Sequence, residues 1–247
     1  MNKCLLCFHQ GWSDIVNCSP LIDYYLGKYS EVKVVIRDDA KSLVEGYIRN
    51  KDRIIIDYQP KNTFPSDSYI QEHKDQGFDI CFHGSYDSSR TDQYKGAFSY
   101  SNSNHFVKNF YTAYGIDHKE KVNSFTLNRD IESEQTFAKK MTGDYICAHF
   151  GEHFQSVSTN LSIFNLDNST SNPFEAITLL QRSKEIHLID SMWAAVCYLL
   201  DAKYSFFRSS SIPIFLYPYR DRGGACLPSN SYPELEPAKL ANWTIIR

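Results

Sequence analysis

The sequence predicts an α/β protein built from two halves, each with a mostly parallel sheet, facing a central cleft. Three observations carry this reading. Short apolar runs rich in Val, Ile, Phe and Tyr alternate with stretches of helical periodicity. The connections between successive runs are long enough for crossover helices, the arrangement that makes neighbouring strands parallel. The pattern also breaks once, at the polar stretch Asp117–Lys121, and then starts again.

The first strand is Lys3–Phe8, closed by the turn His9-Gln10-Gly11-Trp12-Ser13-Asp14, and a helix from about Asp14 runs to Leu26. A strand follows at Val32–Asp38. The next helix, Ala40–Arg49, gathers Leu43, Val44, Tyr47 and Ile48 on one face. Arg53–Gln59 is a strand ended by Pro60, Pro65–Gln76 a helix and Asp79–Ser85 the fourth strand. A helix over Ser101–Tyr114 ends at Gly115, a residue suited to the left-handed cap.

The second half restarts with a strand at Val122–Asn128 and a helix at Ser133–Met141. Strands at Tyr145–Glu152 and Leu161–Asp167 come next. The helix Pro173–Arg182 has proline in its first turn. Glu185–Ser191 is a strand leading into the apolar helix MWAAVCYLL, and Tyr204–Arg208 is read as a last strand. The five prolines from Pro213 to Pro237 make the tail mostly loop with a short terminal helix. The expected domains are residues 1–118, on the acceptor side, and 119–232, on the donor side. Residues 233–247 form a tail helix expected to pack back on the first domain.

Composition narrows the function. A net charge of −3 over 247 residues lacks the basic footprint of a nucleic-acid binder. No apolar run reaches the roughly 18–20 residues of a membrane span. The N-terminus has no basic segment followed by an apolar one, so no secretory signal is read there. Seven cysteines, scattered through apolar runs, point to a reduced, cytoplasmic protein. Cys4 and Cys7 form a C-x-x-C, but on a strand their side chains face opposite ways. The chain has no D-x-D, no P-loop, no G-x-G-x-x-G and no clustered His or Cys, so neither a metal nor a cofactor is expected.

Three strand ends carry polar groups suited to chemistry. The first holds His9, Gly11, Trp12, Ser13 and Asp14. Asp14 either caps its helix or, at the carboxyl edge of the sheet, serves as a general base, with His9 beside it. The second is His149-Phe150-Gly151-Glu152. The third is EIHLIDS, where Asp190 and Ser191 open a helix whose N–H groups can hold a diphosphate or where they simply cap it. His187, flanked by Ile186 and Leu188, is either part of that site or a hydrogen-bonded core residue. His83 and Tyr86, at the end of the fourth strand, are candidates for the acceptor side.

Residues 13–21, Ser-Asp-Ile-Val-Asn-Cys-Ser-Pro-Leu, resemble the N-terminal motif of heptosyltransferase-like GT-B glycosyltransferases. That motif has Gly-Asp, apolar residues and then Thr/Ser-Pro-Leu. The segment from Asn165, with Leu166, Thr170-Ser171, Glu175 and Leu179-Leu180, is similar to that family's donor region. Asp190-Ser191 matches the Asp-Ser that begins its phosphate-binding helix. The chain also resembles compact viral and bacterial GT-B-like enzymes with an N-terminal His-x-Gly-x-x-Asp turn.

The resemblance implies two Rossmann-like halves and metal-independent transfer of a sugar from a nucleotide-diphosphate sugar to a glycan hydroxyl. The nucleotide-sugar is a substrate rather than a cofactor, and the family's catalytic base falls on Asp14. Donor phosphates would meet Gly11–Ser13 and Ser191, with His149, Leu166 and His187 in the same group. Ser13 and Met192 stand where the family has glycine, and Ala194-Ala195 stand where it carries a histidine. The charge facing the phosphates is therefore assigned to Arg208. A nucleotide-sugar epimerase or hydrolase, or a non-catalytic binding module, remain the alternative readings.

Overall fold

The computed structural model describes residues 2–8, 11–48, 52–60, 63, 65–85, 97–98, 106–151, 157, 159–167, 169–170, 172–189, 191–217 and 241–246. Two compact units emerge, Met1–Leu127 and Asn128–Arg247.

The first unit runs β1 (Lys3–Phe8), α1 (Trp12–Leu26), β2 (Glu31–Arg37), α2 (Lys41–Ile48), β3 (Ile54–Gln59), α3 (Asp67–Asp75) and β4 (Phe78–Ser85). It continues with β5 (Ala97–Phe98), α4 (Phe106–Thr112) and α5 (Glu120–Asn123). Its sheet has the order β3-β2-β1-β4-β5, with every neighbouring pair parallel. Strand β1 lies at the centre, with Leu6 level with Val34 on one side and Cys81 on the other. Both of its faces are covered, so it reads as a continuous apolar run rather than an alternating one. Leu5 and Cys7 pack with Val35, Ile70, Phe78 and Phe82 into one core cluster.

The sequence suggests a strand at Val122–Asn128, but the chain forms α5 there and then a segment outside the strands of both sheets. Helix α5 packs on α1, Lys121 and Phe125 are buried, and Phe125 stacks on Tyr47 at 5.7 Å. The first compact unit runs to Leu127.

The second unit runs α6 (Ile131–Ala138), β6 (Tyr145–His149), β7 (Ser162–Asn165), α7 (Ile177–Arg182), β8 (Ile186–Ile189), α8 (Met192–Tyr204), β9 (Ile214–Tyr217) and β10 (Trp243–Ile245). Its sheet order is β10-β9-β8-β6-β7, again with all pairs parallel. The expected strand at Tyr204–Arg208 is instead the end of α8 and a turn. Ser205 caps the helix in the left-handed conformation (φ 57°). The expected tail helix is also corrected over its described part. Trp243–Ile245 add an edge strand to β9, a three-residue element too short to leave a periodic signal.

Helix α1 carries Pro20 in its interior, which removes one backbone donor. The Ser19 hydroxyl donates to the Val16 carbonyl at 2.8 Å, replacing the missing N–H. Tyr111 donates to the Asn17 carbonyl at 2.6 Å. The helix thus continues unbroken from its first turn to Leu26.

Candidate functional site

In an open parallel sheet, ligands bind outside the carboxyl ends of two neighbouring strands whose connections leave in opposite directions. Each unit has one such point. In the first it lies between β1, which leads toward β2, and β4, which leads toward β5. In the second it lies between β6, leading toward β7, and β8, leading toward β9.

At the first switch point, Gly11 is the N-cap of α1 in an extended conformation, and the Ile15 amide makes the first helical bond to its carbonyl at 2.9 Å. Trp12, Ser13 and Asp14 form the first turn, and all three remain partly exposed. The Asp14 carboxylate therefore sits in the first turn of a 15-residue helix, at the positive end of its dipole. Asn17 donates to the Ser13 hydroxyl at 3.4 Å. One turn beyond Asp14, burial and then the Asp14 charge push the Cys18 thiol well up. His9 lies outside the described residues.

His83, expected on the acceptor side, is buried. The ring is 0% exposed, beneath α1 and α4. Its Nδ1 is hydrogen-bonded to the Phe110 carbonyl and its Nε2 to the Tyr25 hydroxyl at 3.0 Å. Burial pushes its pKa down to about 4, so the ring is neutral at ordinary pH. Tyr86 lies outside the described residues.

At the second switch point, β6 ends with His149, level with Leu188 of β8. Phe150 is buried, and Gly151 turns the chain with φ +57°. A Cβ at Gly151 would meet Ile189 Cδ1 at 3.4 Å, and the left-handed backbone there also favours glycine. The His149 Nδ1 faces Asp167, which follows β7. Burial lowers the pKa of this imidazole, and the Asp167 carboxylate opposes that shift. The Asp167 amide in turn donates to Asn165 Oδ1 at 2.8 Å.

Ser191 is the extended N-cap of the 13-residue helix α8, and its hydroxyl makes no capping bond. That Oγ is buried and has no hydrogen-bond partner among the described residues. A buried hydroxyl left this way at a helix N-terminus suits an incoming acceptor of hydrogen bonds, such as a phosphate oxygen. Asp190 lies outside the described residues.

Other expected donor residues do different work. Leu166 is 1% exposed, and its side chain belongs to the core. Its amide donates to the Ala148 carbonyl at 2.7 Å, extending the β6–β7 pairing so that Asp167 arrives beside His149. His187 is bonded through both ring nitrogens. It alternates with Leu188 on β8, stacks on Phe215 at 4.7 Å, and bonds Tyr217 through Nδ1 (2.9 Å) and Glu185 through Nε2 (3.0 Å).

Arg208 follows the C-terminal end of α8. It bonds the Asp201 carbonyl at 2.7 Å and Ser205 Oγ at 3.1 Å, roughly 20 Å along the axis from Ser191 for a 13-residue helix. The residue that sequence reasoning passed over is Asp167. Its only signal was an acid ending the run LSIFNLD.

No known family pattern and no curated protein matches the chain in sequence. Solved structures do match. The glycosyl transferase family 9 protein of Veillonella parvula DSM 2008 aligns over 99% of this chain and 85% of its own, at 11% identity and a TM-score of 0.57. The E. coli ADP-heptose LPS heptosyltransferase II aligns over 100% and 90%, at 11% identity and a TM-score of 0.56. The iron-containing dodecameric glycosyltransferase TibC from enterotoxigenic E. coli H10407 aligns over 91% and 60%, at 10% identity and a TM-score of 0.53. At these identities the likeness is one of fold: two parallel α/β units, as in GT-B glycosyltransferases.

Proposed function

We propose that the protein is a metal-independent glycosyltransferase that moves a sugar from a nucleotide-diphosphate sugar to a hydroxyl of a glycan acceptor. The carrying observation is the pair of switch points in a fold shared with glycosyltransferases. One presents a carboxylate in a helix's first turn, and the other presents a buried hydroxyl on a helix N-terminus with no partner among the described residues. In this reading Asp14 takes the proton of the acceptor hydroxyl as its oxygen attacks the anomeric carbon. The bond from that carbon to the diphosphate oxygen breaks, and its electron pair leaves with the diphosphate. Ser191 and the N–H groups of α8 receive the developing charge. An Asp base acting on the incoming hydroxyl implies inversion at the anomeric centre.

The test is a thermal-shift panel of UDP, GDP, ADP, CMP and TDP, with and without EDTA. A ligand at about 100 times its dissociation constant adds roughly 2.7 kcal/mol of stability. One nucleoside diphosphate should stabilise the protein with EDTA making no difference. Product analysis with that nucleotide's sugars, with and without a glycan acceptor, then separates transfer from hydrolysis or epimerisation. A panel in which no nucleotide shifts the melt overturns the donor assignment.

A further inference from the structure

We infer that His149 and Asp167 form a proton-accepting dyad that supplies the positive charge facing the donor's diphosphate, an inference that rests on the donor-site reading above. The ring takes up one proton from solvent when the anion binds and gives it back when the anion leaves. No covalent bond changes in this step.

The geometry is specific. Strand β6 delivers His149 to the switch point at the level of Leu188, three residues before Ser191 begins the turn into α8. Strand β7 delivers Asp167 to the ring's Nδ1, which is itself buried. A carboxylate at Nδ1 holds the proton there and leaves Nε2 as the nitrogen that changes state, the arrangement by which a second group orients a functional imidazole. Nε2 has no protein partner among the described residues, and the side chain keeps 18% of its surface exposed.

Among the described residues, Arg208 and His187 are bonded elsewhere. Arg208 closes the far end of α8, and His187 is bonded through both ring nitrogens. Among the described residues, the ionisable side chain facing the ring from β7 is Asp167. On β8, His187 pairs in register with Ala148, so it lies on the sheet face opposite His149, together with its partners Glu185 and Tyr217. The first turn of α8 carries no acid. Burial favours a neutral ring in the free protein, and Asp167 keeps the protonated form within reach. A polyanion placed beside Nε2 stabilises that form.

Isothermal titration with inorganic pyrophosphate from pH 6.5 to 8.5, in two buffers of different ionisation enthalpy, reads the proton directly. The wild type should take up protons on binding. His149→Gln keeps a donor but no titratable ring, so it subtracts the ionisation of pyrophosphate itself. It should bind about tenfold more weakly at pH 6.5, with the gap closing by pH 8.5, and its excess proton uptake should vanish. Asp167→Asn should move the midpoint of that gap to lower pH.

Equal affinities and equal proton uptake in wild type and His149→Gln overturn the dyad while leaving the donor site standing. An unchanged midpoint in Asp167→Asn removes Asp167 from the dyad. A wild type that binds no pyrophosphate at millimolar concentration overturns the donor-site reading itself.

Discussion

The two switch points share a backbone plan and present opposite chemistry. Each is a parallel strand end followed by a long helix whose first N–H groups face outward. At the first, α1 begins with a glycine cap and places an acid in its first turn. At the second, α8 begins with a serine cap and has no acid there, and a His–Asp pair stands at the neighbouring strand end. A carboxylate in the first turn already neutralises the helix's positive end and repels an anion, so that edge suits proton abstraction. An empty first turn leaves the positive end available, so that edge suits phosphate. In the proposed reading, one topology thus serves as a base or an anion cradle according to one or two side chains.

Removing the base is the largest test of this contrast. Asp14→Asn keeps the shape and removes the charge, and should lower the transfer rate about 10²–10⁴-fold. Pyrophosphate affinity should be unchanged, because the anion is assigned to the other unit. Transfer within tenfold of wild type would place the base elsewhere.

The next test contrasts the two ends of α8 instead of the two units. Asp201 is fully buried at the C-terminal end and accepts hydrogen bonds from the Phe207 and Arg208 amides, each at 3.0 Å, and from Trp243 Nε1 at 3.2 Å. It ties the turn after the helix to the edge strand β10. Asp201→Ala should cost about 3–5 kcal/mol in denaturant melts. Arg208→Ala should cost less, about 1 kcal/mol, and should leave pyrophosphate affinity intact. A large affinity loss in Arg208→Ala would return that residue to the phosphate site.

His83 sharpens the contrast between buried and working histidines. Its folded pKa of about 4 lies below the ordinary 6.5, so the unfolded chain binds more protons between those values. The stability held by the neutral ring is complete above pH 6.5 and is lost as pH falls toward 4, by about 3 kcal/mol in all. His83→Gln should flatten that slope in urea melts across the window. An unchanged slope would assign the acid sensitivity to other groups.

The parallel alternation was legible because Gly and Pro mark the ends of its strands and because strands covered on both faces stay apolar throughout, as β1 and β6 do. Four features were hidden because their causes are remote in sequence. His83 is held by Tyr25 and Phe110, and His187 by Tyr217 and Phe215. Arg208 reads as a strand residue until Asp201 is seen to hold its turn. The pairing of Asp167 with His149 exists only through the register of β7 on β6. Around the three histidines and Asp167 local pattern placed the strands, whereas at Arg208 it misplaced one, and in every case tertiary pairing decided what the side chain contacts.

The smallest effect discriminates most finely between a cap and a ligand site. A serine that caps its helix stabilises it, and replacement by alanine typically costs about 1 kcal/mol. Ser191 makes no capping bond, and its hydroxyl is buried without a partner among the described residues. Its removal relieves a desolvated group instead of breaking a bond, so Ser191→Ala should leave stability within about 0.5 kcal/mol of wild type or raise it. Pyrophosphate affinity should fall about fivefold to tenfold, the worth of one hydrogen bond to a charged partner. A stability loss near 1 kcal/mol with unchanged affinity would make Ser191 an ordinary cap, and the two helix N-termini would then differ in structure but not in chemistry.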